Sequence, residues 1–475
     1  MQRRGAVLDD SKPIWRTMLL FLVPLMLANV LQSASGTFTS IFLGRMIGVR
    51  ALAAASSMFP MLFFLISFFF GIASASTVLI GQAYGAHDQP RLSRAAGTTL
   101  MFAIVFGVVL GGIGFAFDRA MLKLIDTPPD VLDDAVRYAN IVFLTLPVLF
   151  VYLGYTTFLR GIGDSRSPLI VLISSTSIAV VLTPLLIRGA FGHPGLGIIA
   201  APISNIISTG TGLIGLLVFL ERTDNPLALS KLRHYLRLEI PLLRTLFRIG
   251  IPTGIQFVMV SLSEIAVLSF VNRFGSSATA AYGAVNQIVS YVQFPAISIG
   301  MTASIFGAQS IGAGRLDRLR KIVRAGVLLN YVIGGVLITI VYLLAREILS
   351  LFLTDQTTLN MARDLLSITL WSYVIFGNTS VLSGMMRSSG SVLWPTTIQI
   401  CTIWGVEVPI AWVLSHGPLG LRGVWIAYPI AFAVALSLQS LYYFGVWRRK
   451  PIRALHASPV ADAEGERIME AETVS

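Results

Sequence analysis

The sequence predicts an all-α integral membrane protein with twelve transmembrane helices in two parallel repeats of six. Three observations predict it. The 475-residue chain is 55% hydrophobic and only 12% charged, where an ordinary soluble domain carries roughly 25% charged residues. Twelve apolar runs meet the ~20 residues that a helix needs to cross a ~30 Å hydrocarbon core. Several residues also recur at a fixed separation of 227 positions.

In chain order the runs are 14–43, 53–80, 96–117, 136–158, 169–187 and 198–220, then 251–271, 280–306, 322–344, 366–386, 396–414 and 423–446. The first far exceeds the ~7 to 15 residue core of a secretory signal and follows Asp9 and Asp10, so it is expected to be retained. Runs 14–43, 53–80 and 280–306 are too long for one upright crossing. Tilt, or kinks at Pro24, Pro60 and Pro295, would absorb the excess. The chain thus divides into an amino end (1–13), a six-helix bundle (14–220), a linker (221–250), a second six-helix bundle (251–446) and a tail (447–475). Leucines in the linker alternate with Lys231, Arg233, Arg237, Arg244 and Arg248, which fits either a helix lying on the membrane surface or a solvated connection. The tail is polar and acidic without a packing pattern, and is expected to be disordered.

Of the 35 Lys and Arg, 25 fall at the two chain ends and in the even-to-odd loops, and the other 10 in the alternate loops. The positive-inside rule therefore places both termini in the cytoplasm of a cell (inner) membrane. The net charge of +12 is a topology signal with anionic lipid headgroups as its partner, not a nucleic-acid footprint. Cys401 is the only cysteine and the five histidines are scattered singly, so neither an intrachain disulfide nor a metal-site spacing is present.

The repeat is carried by several anchors. Arg160 to Pro168 reads RGIGDSRSP and Arg387 to Pro395 reads RSSGSVLWP, with Arg, Gly and Pro at matching places. Gln82 in GQAYGA pairs with Gln309 in AQSIGA, Pro202 with Pro429, and Arg45 with Arg273 after one residue of slippage. Six spans per half is an even number, so the halves are parallel. Such repeats in secondary transporters hold substrate between them and rock to expose it alternately.

LGRMIGVRALAAAS, GQAYGAHDQPRLSRAAG, LRGIGDSRSP, NRFGSSATAAYGAVNQ, GAQSIGAGRLDRLRK and LGLRGVWIAYPIA, in this order over about residues 14 to 446, resemble the multidrug and toxic compound extrusion (MATE) family. The resemblance implies two bundles around a V-shaped cavity, with export of small amphipathic, often cationic compounds in exchange for H+ or Na+. It also exposes departures. The acid that many members carry in the first helix is Thr39 here, and an N-x-x-x-D-P pattern in the fifth reads AVVLTP, with Ala179 and Thr183 in place of Asn and Asp. Gln32 still matches a polar position of that amino-terminal pocket.

An ionisable group at mid-span costs at least ~2.5 to 3.5 kcal/mol and normally faces a cavity or a partner. Glu264, near the centre of the seventh span, and Glu407, in the eleventh two residues before Pro409, carry that cost. Subtracting the repeat offset brings them within about a helical turn of Thr39 and Thr183. They are the candidate coupling-ion or substrate site: a carboxyl shielded from water can carry a proton, and carboxylates with neutral oxygens can cage Na+ at Glu264. Gln256, Ser261 and Ser263, Asn286 and Gln287, Asn378 and Gln32 are candidates for those oxygens, with helix-to-helix hydrogen bonding as the alternative. Tyr291 and Tyr373, with Trp371 and Trp404, are candidates to stack on a cationic substrate or to serve as packing. Arg160, Asp164 and Arg166 read as a short loop with a capping role. The glycine-rich GQAYGAHD and GAQSIGAG lack a phosphate-loop Lys, so ATP binding is not expected. No cofactor beyond the coupling ion, no enzymatic activity and action as a monomer are expected. A flippase for lipid-linked saccharides is the alternative within the wider superfamily, and a membrane-embedded enzyme the alternative outside it.

Overall fold

The computed structural model describes residues 13–124, 127–189 and 195–455. Among them, twelve helices are long and apolar enough to cross a membrane. We number them α1 (Ile14–Ile47), α2 (Arg50–Gly85), α3 (Gln89–Leu124), α4 (Val131–Gly161), α5 (Arg166–Arg188), α6 (Gly197–Arg222), α7 (Ile240–Asn272), α8 (Ser276–Gly312), α9 (Asp317–Leu343), α10 (Gln356–Ser388), α11 (Leu393–His416) and α12 (Gly420–Arg449). Every predicted span has its helix. Most helices outrun their apolar core, because a helix continues through polar residues once it has left the hydrocarbon. At 37 residues α8 is ~55 Å long at 1.5 Å per residue, so it extends beyond the bilayer or tilts. Pro24 and Pro295 lie inside helices, while the side chain of Pro60 lies outside the described set.

The repeat is written in the backbone. Gly48 and Gly275 precede α2 and α8 with φ of 121° and 94°, and Gly163 and Gly390 turn the chain after α4 and α10 with φ of 87° and 79°. His87 (φ 56°) and Gly314 (φ 70°) do the same after α2 and α8. Each pair is separated by 227 positions, so the left-handed turns that aim successive helices are duplicated with the sequence.

Packing divides the helices slightly differently from the sequence boundaries. The lower part of α1 (Met18, Phe21, Leu22, Leu25) shares a buried cluster with Ile299, Phe306, Ile322 and Met385 of the second half. Conversely Leu246 and Ile249 at the start of α7 are buried in the core of the first half. The leading helix of each repeat therefore straddles both bundles. The segment expected as a linker is shorter than 221–250, since α7 begins at Ile240. Its Leu227 and Leu232 are buried in the first-half core, Gln89 donates to the Pro226 carbonyl at 2.8 Å, and Lys231 pairs with Asp224 at 2.7 Å. It is a packed connection, with a short helix at Leu229–Leu232 that runs on into a 3-10 turn at Arg233–Tyr235.

We call the surface bearing the even-to-odd turns the basic face. The halves meet near it. Phe21 stacks edge-on to Phe306 at 5.7 Å, Asn29 donates to the Ser298 hydroxyl at 2.9 Å, and Phe70 lies 6.4 Å from Phe257. Gly71 of α2 abuts Gly250 and Gly254 of α7 so closely that a Cβ on Gly71 would strike their backbone. Apart from Phe257, which lies at the middle of α7, these contacts fall in the part of each helix nearer the basic face, so the halves converge there and form a V that opens toward the other surface.

At the apex two buried glutamines cross between the halves. Gln82 Nε2 donates to the Ser388 carbonyl at 2.8 Å, and Gln309 Nε2 donates to the Gly161 carbonyl at 2.7 Å. The 227-residue shift maps one bond onto the other. The described part of the tail joins this clasp: the Leu455 amide donates to Gln82 Oε1 at 2.8 Å, and the Leu455 side chain lies against Gly390. Ile452, Ala454 and Leu455 thus pack against the bundles, contrary to the expectation of disorder for 447–475. The rest of that tail, and residues 1–12, lie outside the described residues.

Candidate functional site

Pro409 has no N–H to donate to the Gly405 carbonyl, so the hydrogen-bond ladder of α11 slips just before it. The result is a π-helical turn over Ile403–Glu407. Glu407 ends that turn and is 6% exposed. Its carboxyl interacts electrostatically with Glu264 of α7. Tyr373 of α10 and Tyr282 of α8 face both acids, Tyr428 of α12 faces Glu407, and Asn286 stands beside Tyr282. Glu264 is exposed at the rim of the cluster, so one carboxyl is open and the other is enclosed. A buried carboxylate left without a partner is costly, and a group so placed can lower that cost by taking up a proton or a cation.

The proposed site residues separate into three groups. Glu264, Glu407, Asn286 and Tyr373 come together, with Gln287 half-buried one step around α8 from Asn286. Gln256 and Asn378 are committed elsewhere. Gln256 Nε2 donates to Gln399 Oε1 at 2.8 Å and its own Oε1 accepts from Thr396 at 3.3 Å, two turns of α7 away from Glu264. Asn378 accepts from Asn330 and donates to the Tyr331 hydroxyl, each at 3.0 Å, tying α10 to α9. Ser263 returns its hydroxyl to the Val260 carbonyl. Both networks are the helix-to-helix bonding that was the alternative reading. Tyr291 is 44% exposed against Phe294, and Trp371 is 48% exposed. Tyr373, in contrast, is buried edge-on to Phe432 at 5.3 Å.

Gln32 lies in the other half, lining a cavity with Tyr152, Thr156, Thr157 and Arg160. Arg160 belongs to the last turn of α4 rather than to a loop. Asp164 does cap the next helix, accepting from the amides of Arg166 and Ser167 at 3.0 Å each. Thr183, at the position where the family resemblance implies an Asp, is 3% exposed and donates to the Ser204 hydroxyl at 2.8 Å. Tyr282 and Tyr428 were not singled out from sequence. The i, i+4 spacing of Tyr282 and Asn286, which sets both on one face of α8, was the available signal.

Duplicated six-helix halves converging at one face, with ionisable groups held inside the membrane region, have the build of a solute transporter. The MatE family model matches residues 24–185 and again 252–413, one match per half. The chain is 53% identical over 448 residues to the probable multidrug resistance protein YoeA of Bacillus subtilis, covering 94% of this chain and 97% of that one. It is 23% identical to the multidrug export protein MepA of Staphylococcus haemolyticus, over 93% and 95% of the two chains. The solved outward-facing structure of a multidrug resistance MATE family transporter superposes with a TM-score of 0.86 at 18% identity, covering 94% of this chain and 99% of that one. This chain belongs to the MatE family of multidrug and toxic compound extrusion transporters.

Proposed function

We propose that this protein is a secondary active antiporter. It exports small amphipathic, often cationic compounds by alternating access, in exchange for H+ or Na+ moving inward. The observation that carries the reading is the Glu264–Glu407 pair: one acid open and one enclosed, walled by Tyr282, Tyr373 and Asn286. A proton or sodium ion held there favours one arrangement of the second half, and a cationic substrate competes for the same charge. Coupling needs only that ion and substrate favour opposite states. The basic face is cytoplasmic by the positive-inside rule, which sets the protein in the cell membrane with both termini inside. Lipids are its surroundings, the monomer is the working unit, and neither nucleic acid nor an organic cofactor has a role.

The test is efflux of a fluorescent cationic dye from vesicles under imposed proton or sodium gradients. The parent should respond to one of the two gradients. Glu407→Gln should lose at least tenfold of the gradient-driven rate, and Glu264→Gln should lose a comparable share. Full gradient-driven efflux in both variants would remove the site assignment, and a parent deaf to both gradients would remove antiport itself.

A further inference from the structure

Glu407 sits at the least regular point of α11, where the π-helical turn over Ile403–Glu407 runs into Pro409. A helix broken in this way does not by itself fix where its side chains stand. The neighbouring α7 holds it in place. On the basic-face side of the break, Gln256 Nε2 donates to Gln399 Oε1 at 2.8 Å, and the Thr396 hydroxyl donates to Gln256 Oε1 at 3.3 Å. Within the break, Trp404 Nε1 donates to the Met259 carbonyl at 3.2 Å. Beyond it, the Arg273 guanidinium meets the His416 ring. Gln256 and Gln399, Glu264 and Glu407, and Arg273 and His416 are each 143 positions apart, so one register holds over about 25 Å of α7 at 1.5 Å per residue. A slip of a single residue would move Glu407 about 1.5 Å along the helix and about 100° around it, away from Glu264.

Tyr282 and Tyr373, which face both acids, stand on a different pair of helices. A Cβ on Gly300 of α8 or on Gly384 of α10 would strike the backbone of the opposite helix, so these two pack as closely as backbones allow. Among the described residues, the one side-chain hydrogen bond from α7 or α11 to α8 or α10 runs from Thr279 to Asn272 at 2.9 Å, at the turn joining α7 to α8. We propose that α7 and α11 are a single unit whose register sets the Glu264–Glu407 pair, with Gln399 as a positioning residue. The coupling ion then enters and leaves where α8 and α10 part from this unit, and the two acids stay together throughout. The inference rests on the antiporter reading and adds to it the element that builds the site.

The test uses the full-length protein with Cys401→Ser as the reference. Efflux of a cationic dye is measured in reconstituted vesicles, and binding of the same dye to the purified protein by fluorescence anisotropy. Gln399→Leu should raise the ion concentration for half-maximal efflux about tenfold, the effect of leaving the Gln256 amide unpaired. Maximal rate and dye binding should hold, which also reports that the variant is folded. Gln256→Cys with Gln399→Cys should show the same rise. Bridging its two thiols with a short, reducible bis-methanethiosulfonate reagent should restore the reference value with export intact, and the bridging yield should be equal with and without bound dye. Unaltered ion dependence in Gln399→Leu overturns the proposal. So does a bridged protein that binds dye without exporting it, or a yield that changes with dye. A parallel fall in dye binding, rate and ion affinity would make Gln399 a packing residue only and also overturns it. A reference protein deaf to both gradients would sink the antiporter reading instead, and the bridging yield, which needs no gradient, would still judge the two-helix unit.

Discussion

At the scale of single residues, the two halves treat equivalent positions differently. The second half keeps acids in mid-membrane, and the first replaces its expected acid with Thr183, whose hydroxyl does no more than tie α5 to Ser204 of α6. Removing that one neutral hydrogen bond should be mild. Thr183→Val is expected to cost about 1 kcal/mol of stability and to leave gradient-driven efflux unchanged, as thermal denaturation and dye efflux would show. A collapse of coupling in this variant would return the ion site to the first half. Glu264 and Glu407 were legible in the sequence because a charge in an apolar run stands out against its cost. Tyr282, Tyr428 and Arg160 were not: tyrosine is ordinary in a span, and an arginine beside a Gly-rich turn reads as a loop until the helix is seen to include it. Gln256 and Asn378 read correctly as polar, but their partners Gln399 and Asn330 are distant in sequence, so their commitment to helix pairing appears only in three dimensions.

At the scale of elements, breaks in the helices carry polar contacts. In α9 a π-helical turn over Asn330–Gly334 presents the Asn330 amide, which donates to the Val374 carbonyl at 2.8 Å and to Asn378. This fits only because residue 377 has no side chain: a Cβ on Gly377 would overlap the Asn330 amide group. Gly377→Ala should therefore force α9 and α10 apart and destabilise by roughly 1 to 3 kcal/mol, read as a lowered unfolding midpoint in detergent. The start of α10 depends on a cap outside the membrane. Asp355 accepts from the Thr358 amide and hydroxyl, both at 2.8 Å, and these bonds hold its carboxyl below the usual range. A lowered value in the folded state means that this contribution is present above the ordinary aspartate value of about 3.9 and is lost as pH falls through the folded one. Asp355→Asn should keep most of the cap and lose its acid sensitivity, whereas Asp355→Ala should lose the cap at every pH. Melting curves from pH 7 down to 3 separate the two outcomes. Apolar runs locate helices well and end them badly: α3 runs over Gln89–Leu124 where the run covered 96–117, because Gln89, Arg91 and Arg94 extend the helix without adding hydrophobicity.

At the scale of the whole molecule, the interface between the halves decides which face is closed. The repeat was legible as matched residues, but sequence alone does not say that Gln82 and Gln309 reach across to each other's half, since a linear offset carries no axis. The clasp is also unequal. Gln82 uses both ends of its amide, on Ser388 and on Leu455, while Gln309 Oε1 is buried without a partner among the described residues. The tail therefore reinforces one of two otherwise matching bonds, and the Gln82 side should be the harder to open. Beside the clasp, α2 and α8 cross at Gly85 and Gly312. A Cβ on either would collide with the backbone carbonyl of Gln309 or Gln82. Neither carbonyl can yield without disturbing the amides that close the apex. Gly312→Ala should thus weaken this closed arrangement selectively, favouring states in which the basic face is open, at roughly 1 to 3 kcal/mol or about 5-fold to 150-fold in population. A cysteine at Ser389, in a Cys401→Ser background, gives the readout through its labelling rate with a maleimide applied from the basic face. Labelling should accelerate in Gly312→Ala and also when the chain is ended after Lys450. Acceleration in Gly312→Ala alone would mean that helix crossing governs closure and the Leu455 contact does not. An unchanged rate in both would mean that the apex opens by a motion that leaves the clasp intact.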